Sequence, residues 1–303
     1  MAGISRNRNK IKNDSRMADI LIVFFMIVVV FITLYPLYYV LILSISDPIE
    51  AATMKVFFYP KGLYFRSYEI ILKDKNIWVS FGYTVFYVVA GTLLTLFTST
   101  TTGYALSSPH LRGKKWVTVF LLVPMYFSGG TIPSFLLISK LNLYNTVWAL
   151  VFTSSFNIMY MIYVRSYFYS IPEEMREAAK IEGAGNFKIF SRIYLPLATP
   201  VIAVVAIYTV VNIWNSWYNS MVYQPDTNIQ PLQMYLRRVL VEQTVDLTKA
   251  TSMAEMEELA RLKLSNNQLK YSMIIVTTLP IILVYPFFQK HFVKGVMLGS
   301  VKG

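Results

Sequence analysis

The chain contains no cysteine. Disulfides, thiol nucleophiles and Cys-ligated metal centres are therefore excluded. Histidine is nearly missing as well: His110 and His291 stand far apart, so a His-rich metal site has no ligands to draw on. Charge is also scarce. Only 15% of the 303 residues are charged, against about 25% in an ordinary soluble domain. Hydrophobic residues make up 55%, and the mean hydropathy is +0.48. Such a chain is built for lipid rather than water. Catalytic signatures are absent too. There is no G-x-x-x-x-G-K-[ST] phosphate loop; Gly113-Lys114-Lys115 lacks both the upstream glycine at the right gap and the following Ser or Thr. No H-E-x-x-H, no G-x-S-x-G and no pair of carboxylates inside an apolar run occurs. Neither catalysis nor a resident cofactor or metal is expected of this chain.

The net charge of +12 invites a nucleic-acid reading. That reading fails if the basic residues fall in short segments between apolar spans, because positive charge collects on the cytoplasmic side of membrane proteins. Runs long enough to cross a bilayer, roughly 20 residues, lie at about 20–44, 79–102, 116–138, 146–164, 195–222 and 271–288. The first follows Arg6, Arg8, Lys10, Lys12 and Arg16. It is longer than the apolar core of a signal peptide and has no clear cleavage site after it, so it is expected to be a retained helix. The expectation is an all-α membrane protein with six transmembrane helices. With both termini inside, the inside segments carry more Lys and Arg, and carry them close to span ends, which sets both termini cytoplasmic. The chain then divides into a cytoplasmic tail (1–19), a first span (20–44), an extracytoplasmic loop (45–78), a membrane core (79–288) and a cytoplasmic tail (289–303). Within the core, the extracytoplasmic segment 223–270 carries a short helical pattern at 251–264.

Between the fourth and fifth spans lies a charged cytoplasmic loop, 170–193. Ser170 with Glu173 reads as a capping box, with Pro172 in the first turn. A helix follows to about Glu182 and is stopped by Gly183-Ala184-Gly185. Asn186 can cap a second segment, in which Phe187, Phe190, Ile193 and Leu197 recur at helical spacing. Ala178 and Ala179 are expected on one side with Met175 and Glu182, where small side chains admit another surface. Taken on its own, this loop is equally a linker lying on the membrane face.

Its spacing is more informative. Glu177-Ala178-Ala179, three residues, Gly183, nine residues, Ile193, one residue, Leu195-Pro196 resembles the EAA motif of the permease subunits of binding-protein-dependent ABC importers. The stretches YPLYYVLILSISDP near the start and YPFFQKHFVKGVMLGSVKG at the end resemble the carbohydrate-uptake group, including its LplC-like branch and the smaller permease of the maltose system. The resemblance covers essentially the whole chain, with Glu182 where many relatives carry Asp. It implies the type I (MetI-like) importer permease fold in a bacterial plasma membrane. It also implies that Glu177, Ala178, Ala179, Gly183, Ile193, Leu195 and Pro196 form a coupling helix and its support, docked in a cleft of an ATP-binding subunit. The partners it implies are a second permease, an ATP-binding dimer carrying ATP and Mg, an extracytoplasmic solute-binding protein, the lipid bilayer and a sugar, with no nucleic acid. The tail Gly299 to Gly303 would reach between the ATPases, and the 223–270 segment would touch the binding protein.

For the path itself, Asn212, Asn215, Ser216 and Asn219 fall three or four residues apart, with Trp214, Trp217 and Tyr218 beside them. On one continuous helix they share a face. Amides and indoles suit a polyhydroxyl solute. Interhelical hydrogen bonding and an interfacial aromatic belt account for them equally well. Asn157, Ser128 and Thr131 are weaker candidates, and the Ser128-Gly129-Gly130-Thr131 break fits either a local unwinding or a close helix crossing. Permeases for peptides, amino acids or phosphate share the same loop motif. A membrane-embedded enzyme and a regulatory scaffold are the readings from other classes.

Overall fold

The structure is a computed structural model and describes residues 3–127, 129–242 and 252–300. Among the described residues the architecture is helical, apart from one antiparallel bridge between Ser46 and Leu63. The chain divides into two compact units.

The first unit comprises residues 1–71 and 244–275. Its long helix α1 (Gly3–Ile45) carries the apolar stretch Arg16–Ile45, none of whose apolar window is buried within the chain. A helix that is apolar all round belongs in lipid or against another membrane chain. Pro36 lies inside it. The helix ends where α2 (Pro48–Ala52) begins, capped by Asp47, whose carboxylate accepts from the N–H groups of Ile49 and Glu50. The unit continues through α3 (Arg66–Lys73) as far as Ile71, and through the first half of α15 (Met253–Ser300). Ile42, Leu43, Ala51 and Val56 make a small core with Tyr39 and Tyr271 against it. Beside that core, the buried Gln268 directs its amide Nε2 at the carbonyls of Leu43 (2.9 Å), Ser44 (2.8 Å) and Ser46 (3.0 Å). The last carbonyls of a helix have no partner within it; one side-chain amide from a residue more than 200 positions away supplies them here. Ser272 adds bonds to Ser44 O and Ser67 Oγ.

The second unit comprises residues 72–243 and 276–303. Its central element is α4 (Lys75–Ser107), on which α7 (Val147–Ser155), α8 (Ile158–Tyr169), α12 (Thr199–Trp214) and α14 (Leu232–Glu242) pack. The buried stripe of α4 runs Ser80, Thr84, Tyr87, Gly91, Thr95, Ser99, Gly103, Ser107. Spaced three or four residues apart, these positions form one face, and nearly all of them are small. Helices in lipid gain no hydrophobic energy from meeting, so close van der Waals approach has to hold them, and small residues permit it. A Cβ at Gly103 would lie 2.9 Å from Val164 Cγ1 and 3.1 Å from the backbone N of Arg165.

Three of the anticipated spans are broken helices rather than rods. The third divides into α5 (Lys114–Tyr126) and α6 (Thr131–Lys140), separated by the Gly-Gly segment, in which Gly130 has φ +84°. The fourth divides into α7 and α8, bent by 45° at Phe156-Asn157. Asn157 caps α8 by accepting from Met159 N (3.0 Å) and Tyr160 N (3.4 Å). The fifth bends by 77° between Asn186–Leu197 and α12, and α12 stops at Trp214 before α13 (Tyr218–Tyr223). Among the described residues, three helices are long and apolar enough to cross a membrane alone, and up to six spans result if each bent pair is one crossing. The 251–264 pattern is not a separate short helix: from Met253 onward it is the beginning of α15, continuous with the last apolar span. Thr251 lies outside the described residues.

At one end of this unit a buried polar network ties the chain after α13 to α4. Gln224 Nε2 donates to Tyr87 Oη (2.9 Å) and Thr146 O (3.0 Å), Tyr87 Oη donates to Ile229 O (2.6 Å), and Leu232 N donates to Thr84 Oγ1 (2.7 Å). Tyr235 of α14 donates to the Asp74 carboxylate. Burial, reinforced by that carboxylate, pushes the Tyr235 phenol up to about 12, so it remains a donor throughout the physiological range.

Two substitution series check these contacts. Gly103→Val forces a close-packed crossing apart and is expected to cost about 1–3 kcal/mol. Gly91→Ala, which meets mainly the movable Cδ1 of Ile213 at 2.5 Å, costs less, and Gly82→Ala, with open space around it, costs nothing. The readout is the thermal aggregation midpoint of the detergent-solubilised protein. Gln268→Glu removes the donor at constant size and is expected to cost about 1–3 kcal/mol. Stability recovers in part at acid pH, where a buried carboxyl regains its proton and donates again.

Candidate functional site

The segment with the EAA spacing folds as a short helix followed by an irregular ascent into α12. Helix α9 (Glu173–Ile181) has Pro172 at its N-cap and no side-chain cap. The expected capping box is not formed: Ser170 ends α8 instead, and its hydroxyl bonds back to Tyr167 O at 2.7 Å. Pro172 can take over because the missing N–H at a helix start costs nothing. Glu173 and Glu174 in the first turn and Lys180 in the last match the helix dipole. The stop follows the sequence expectation closely. Gly183 N donates to Lys180 O (2.9 Å) and Ala184 N to Ala179 O (2.9 Å), the paired bonds of a Schellman ending, and Gly183 takes φ +78°. The next segment is capped by Gly185 rather than by Asn186. It runs as α10 (Asn186–Ile189), a π turn (Phe190–Tyr194) and α11 (Leu195–Leu197).

The two alanines of the motif part company. Only Arg176 and Ala179, one turn apart, are buried on α9. Ala179, 8% exposed, joins the core of Val164, Phe168, Ile189, Tyr194, Ala198 and Val205. Ala178 faces outward with Glu177, Met175 and Glu182. The expectation that Ala178 and Ala179 offer one common docking side is therefore corrected: Ala179 serves internal packing. Ile193 packs at the edge of the same core, Leu195 is half-buried and Pro196 exposed. The outward surface also leaves Ile181 at 88% and Phe187 at 80% exposure. These are large apolar side chains left bare in a charged segment.

Arg176 was invisible in the sequence beyond its charge. It is 3% exposed. Its guanidinium sits 5.0 Å from the Tyr104 ring centre and 5.2 Å from that of Tyr194, and Nη1 donates to Ser108 Oγ (3.0 Å). Its Nε has no hydrogen-bond partner. A desolvated cation over tyrosine faces is held by about 2 kcal/mol or more. Tyr104 also meets Phe190 and Tyr194 at 5.0 Å each, and donates to Asn186 O at 3.3 Å. Nearby, Lys114 Nζ bonds Ser108 O (3.1 Å) at the end of α4, where a cation suits the helix dipole.

The supposed path residues do not share a face. The helix ends at Trp214, Asn215 is its C-cap, and Ser216 and Trp217 lie in the break, with Asn219 on α13. Trp214 is buried, its Nε1 donating to Thr277 O at 3.1 Å and its ring meeting Phe81 edge-on. It is thus a packing residue, which corrects its place among the path candidates. Asn212, Asn215 and Trp217 are exposed, and Trp217 carries Arg237 over its ring at 4.9 Å. Thr131 and Tyr218 meet through their hydroxyls at 3.0 Å. Ser128 and residues 301–303 of the tail lie outside the described residues.

A helical membrane bundle with broken spans, carrying a short exposed helix closed by Gly183 before its penultimate crossing, has the anatomy of an importer permease. Residues 99–298 match the family described as the binding-protein-dependent transport system inner membrane component, and the chain belongs to that family of bacterial plasma-membrane permeases. It is 35% identical over 272 residues to protein LplC of Bacillus subtilis, covering 90% of each chain. Its identity to the polygalacturonan/rhamnogalacturonan transport system permease YtcP of the same organism is 33%, over 95% of this chain and 99% of that one. Among solved structures, a bacterial ABC transporter involved in import of the acidic polysaccharide alginate matches with a TM-score of 0.81 and 29% identity, over 92% of this chain and 98% of that one.

Gly183 allows a local check. A Cβ there meets nothing within 4 Å, so the only cost of substitution is the left-handed backbone. Gly183→Ala is expected to cost about 1–2 kcal/mol, and Gly183→Asn less, since asparagine visits that region more readily. Protease nicking of the segment in the solubilised protein should follow the same order.

Proposed function

We propose that the chain is a permease subunit of an ATP-driven bacterial importer of carbohydrate, most simply an oligosaccharide. The observation that carries this reading is the likeness along nearly the whole chain to LplC, to the polygalacturonan/rhamnogalacturonan permease YtcP and to the alginate importer. Both termini lie in the cytoplasm. The exposed face of α9, with Glu177, Ala178 and Ile181, and the neighbouring Gly183 and Phe187, seats in a cleft of a cytoplasmic ATP-binding subunit. Ile193, Leu195 and Pro196 carry the segment into α12. ATP and Mg are handled by a dimer of those subunits. A second permease completes the path, and a solute-binding protein delivers the sugar from outside. The exposed Asn212, Asn215 and Trp217, with Ser216 and Asn219 near the α12–α13 break, supply hydrogen-bonding and stacking groups for the path.

The test is reconstitution with the second permease, ATPase subunits and binding protein in liposomes. ATP-dependent uptake of labelled oligogalacturonides or arabino-oligosaccharides supports the reading. Uptake of a peptide of equal size, with no sugar taken up, overturns it. Ala178→Arg should leave insertion and folding intact, because Ala178 is exposed and helical, while ATPase subunits no longer copurify. Normal copurification of that variant removes α9 from the docking role.

A further inference from the structure

A helix that receives a motor must also be fixed to the machine it drives. On α9 only Arg176 and Ala179 are buried. Ala179 offers one methyl group to the core. Arg176 is the long arm, and it reaches two elements. Through Ser108 Oγ and the Tyr104 ring it touches the end of α4, the central helix of the unit. Through the Tyr194 ring it touches the π turn that leads into α12. Tyr104 and Tyr194 themselves meet edge-on at 5.0 Å, and Phe168 of α8 closes on Tyr194 at 5.3 Å. One cation thus stands where α4, α8, α9 and the π turn converge.

We infer that Arg176 is the positioning residue that registers α9 on α4 and the π turn, so that displacement of α9 is delivered to the spans instead of being absorbed by slip. This rests on the reading that α9 receives the ATPase. The apolar core of Val164, Phe168, Ala179, Ile189 and Tyr194 suffices to seat α9 at rest. Apolar packing resists sliding weakly, whereas a guanidinium held between two ring faces and a hydroxyl has one place to be. The register therefore depends on Arg176 when the helix is loaded.

The absence of cysteine from this chain leaves it no native thiol to remove before labelling, and any cysteines of the partner subunits are replaced by serine. Spin labels at Leu93→Cys on α4 and Lys180→Cys on α9, in the assembled transporter, report the distance between the two helices without nucleotide and after trapping with ATP and vanadate. With Arg176 present, the distribution is narrow and the same in both states. In Arg176→Met it matches the parent without nucleotide and shifts or broadens by roughly 2 Å or more on trapping. Arg176→Lys restores much of the register, Tyr194→Phe preserves it, and Tyr194→Leu reproduces Arg176→Met. ATPase subunits copurify normally with all of these. An Arg176→Met distribution unchanged on trapping overturns the proposal. So does one already broadened without nucleotide, which marks a purely structural role, and so does loss of the ATPase from Arg176→Met. If Arg176→Met does not assemble, Tyr194→Leu takes its place in the same measurement. Failure of the underlying reading is separate: it shows as normal ATPase binding by Ala178→Arg.

Discussion

The close approach of helices to α4 is the constraint on which the second unit depends. Lipid gives apolar side chains no reason to prefer each other, so contact area at short range has to do what the hydrophobic effect does in water. Gly91, Thr95, Ser99 and Gly103 clear one face of α4 over three turns. The hydroxyls of Thr95 and Ser99 have no hydrogen-bond partner; their use at these positions is small size rather than bonding. Because α8 can lie against Gly103, the end of α8 and the start of α9 arrive beside Tyr104, and Arg176 finds its two rings.

Broken spans bring a second constraint. A helix interrupted within lipid exposes main-chain groups that water cannot serve. Side-chain and main-chain bonds serve several of these interruptions. Asn157 caps α8 with its own side chain. The turn after α12 is closed by Asn215 N to Val211 O and Ser216 N to Ile213 O. Beyond it, Gln224 joins the next segment to Tyr87 and Thr146. The end of α1 in the first unit is served by Gln268 in the same way, by a side-chain amide standing in for a missing turn of helix.

What was legible in the sequence was local. Six apolar runs, the Gly183 stop and the block spacing of the 177–196 segment all depend on neighbours within a few residues, and the family followed from them. The breaks were legible only where glycine announced them, at 129–130. The break at Asn157 has neither glycine nor proline, and an asparagine in an apolar run reads as a polar path residue as readily as a cap. The sharing of a face by Asn212, Asn215 and Asn219 presumed a continuous helix, and α12 ends before that holds. The 251–264 pattern looked like an isolated helix because charge ended the apolar run, yet helicity does not require apolarity. Arg176 was unreadable for a different reason: its burial is decided by Tyr104 and Tyr194, 72 and 18 positions away, and nothing near it in the chain signals them.

The division of α9 into an outward and an inward side explains why its motif contains two alanines with different tasks. Outward, Ala178 adds little bulk to the exposed side, while Ile181 and Phe187 leave apolar surface that solvent disfavours. Inward, Ala179 must be small because Ile189 and Tyr194 close over it. A larger residue there would lift α9 off its core and carry Arg176 away from the rings. Such a helix cannot change one face without disturbing the other, since only nine residues separate its start from the Schellman stop at Gly183. That brevity gives rigidity: a short helix fixed at both ends and held in the middle by a buried cation has little freedom to bend, and a force on its outer face is passed on to whatever its inner face grips.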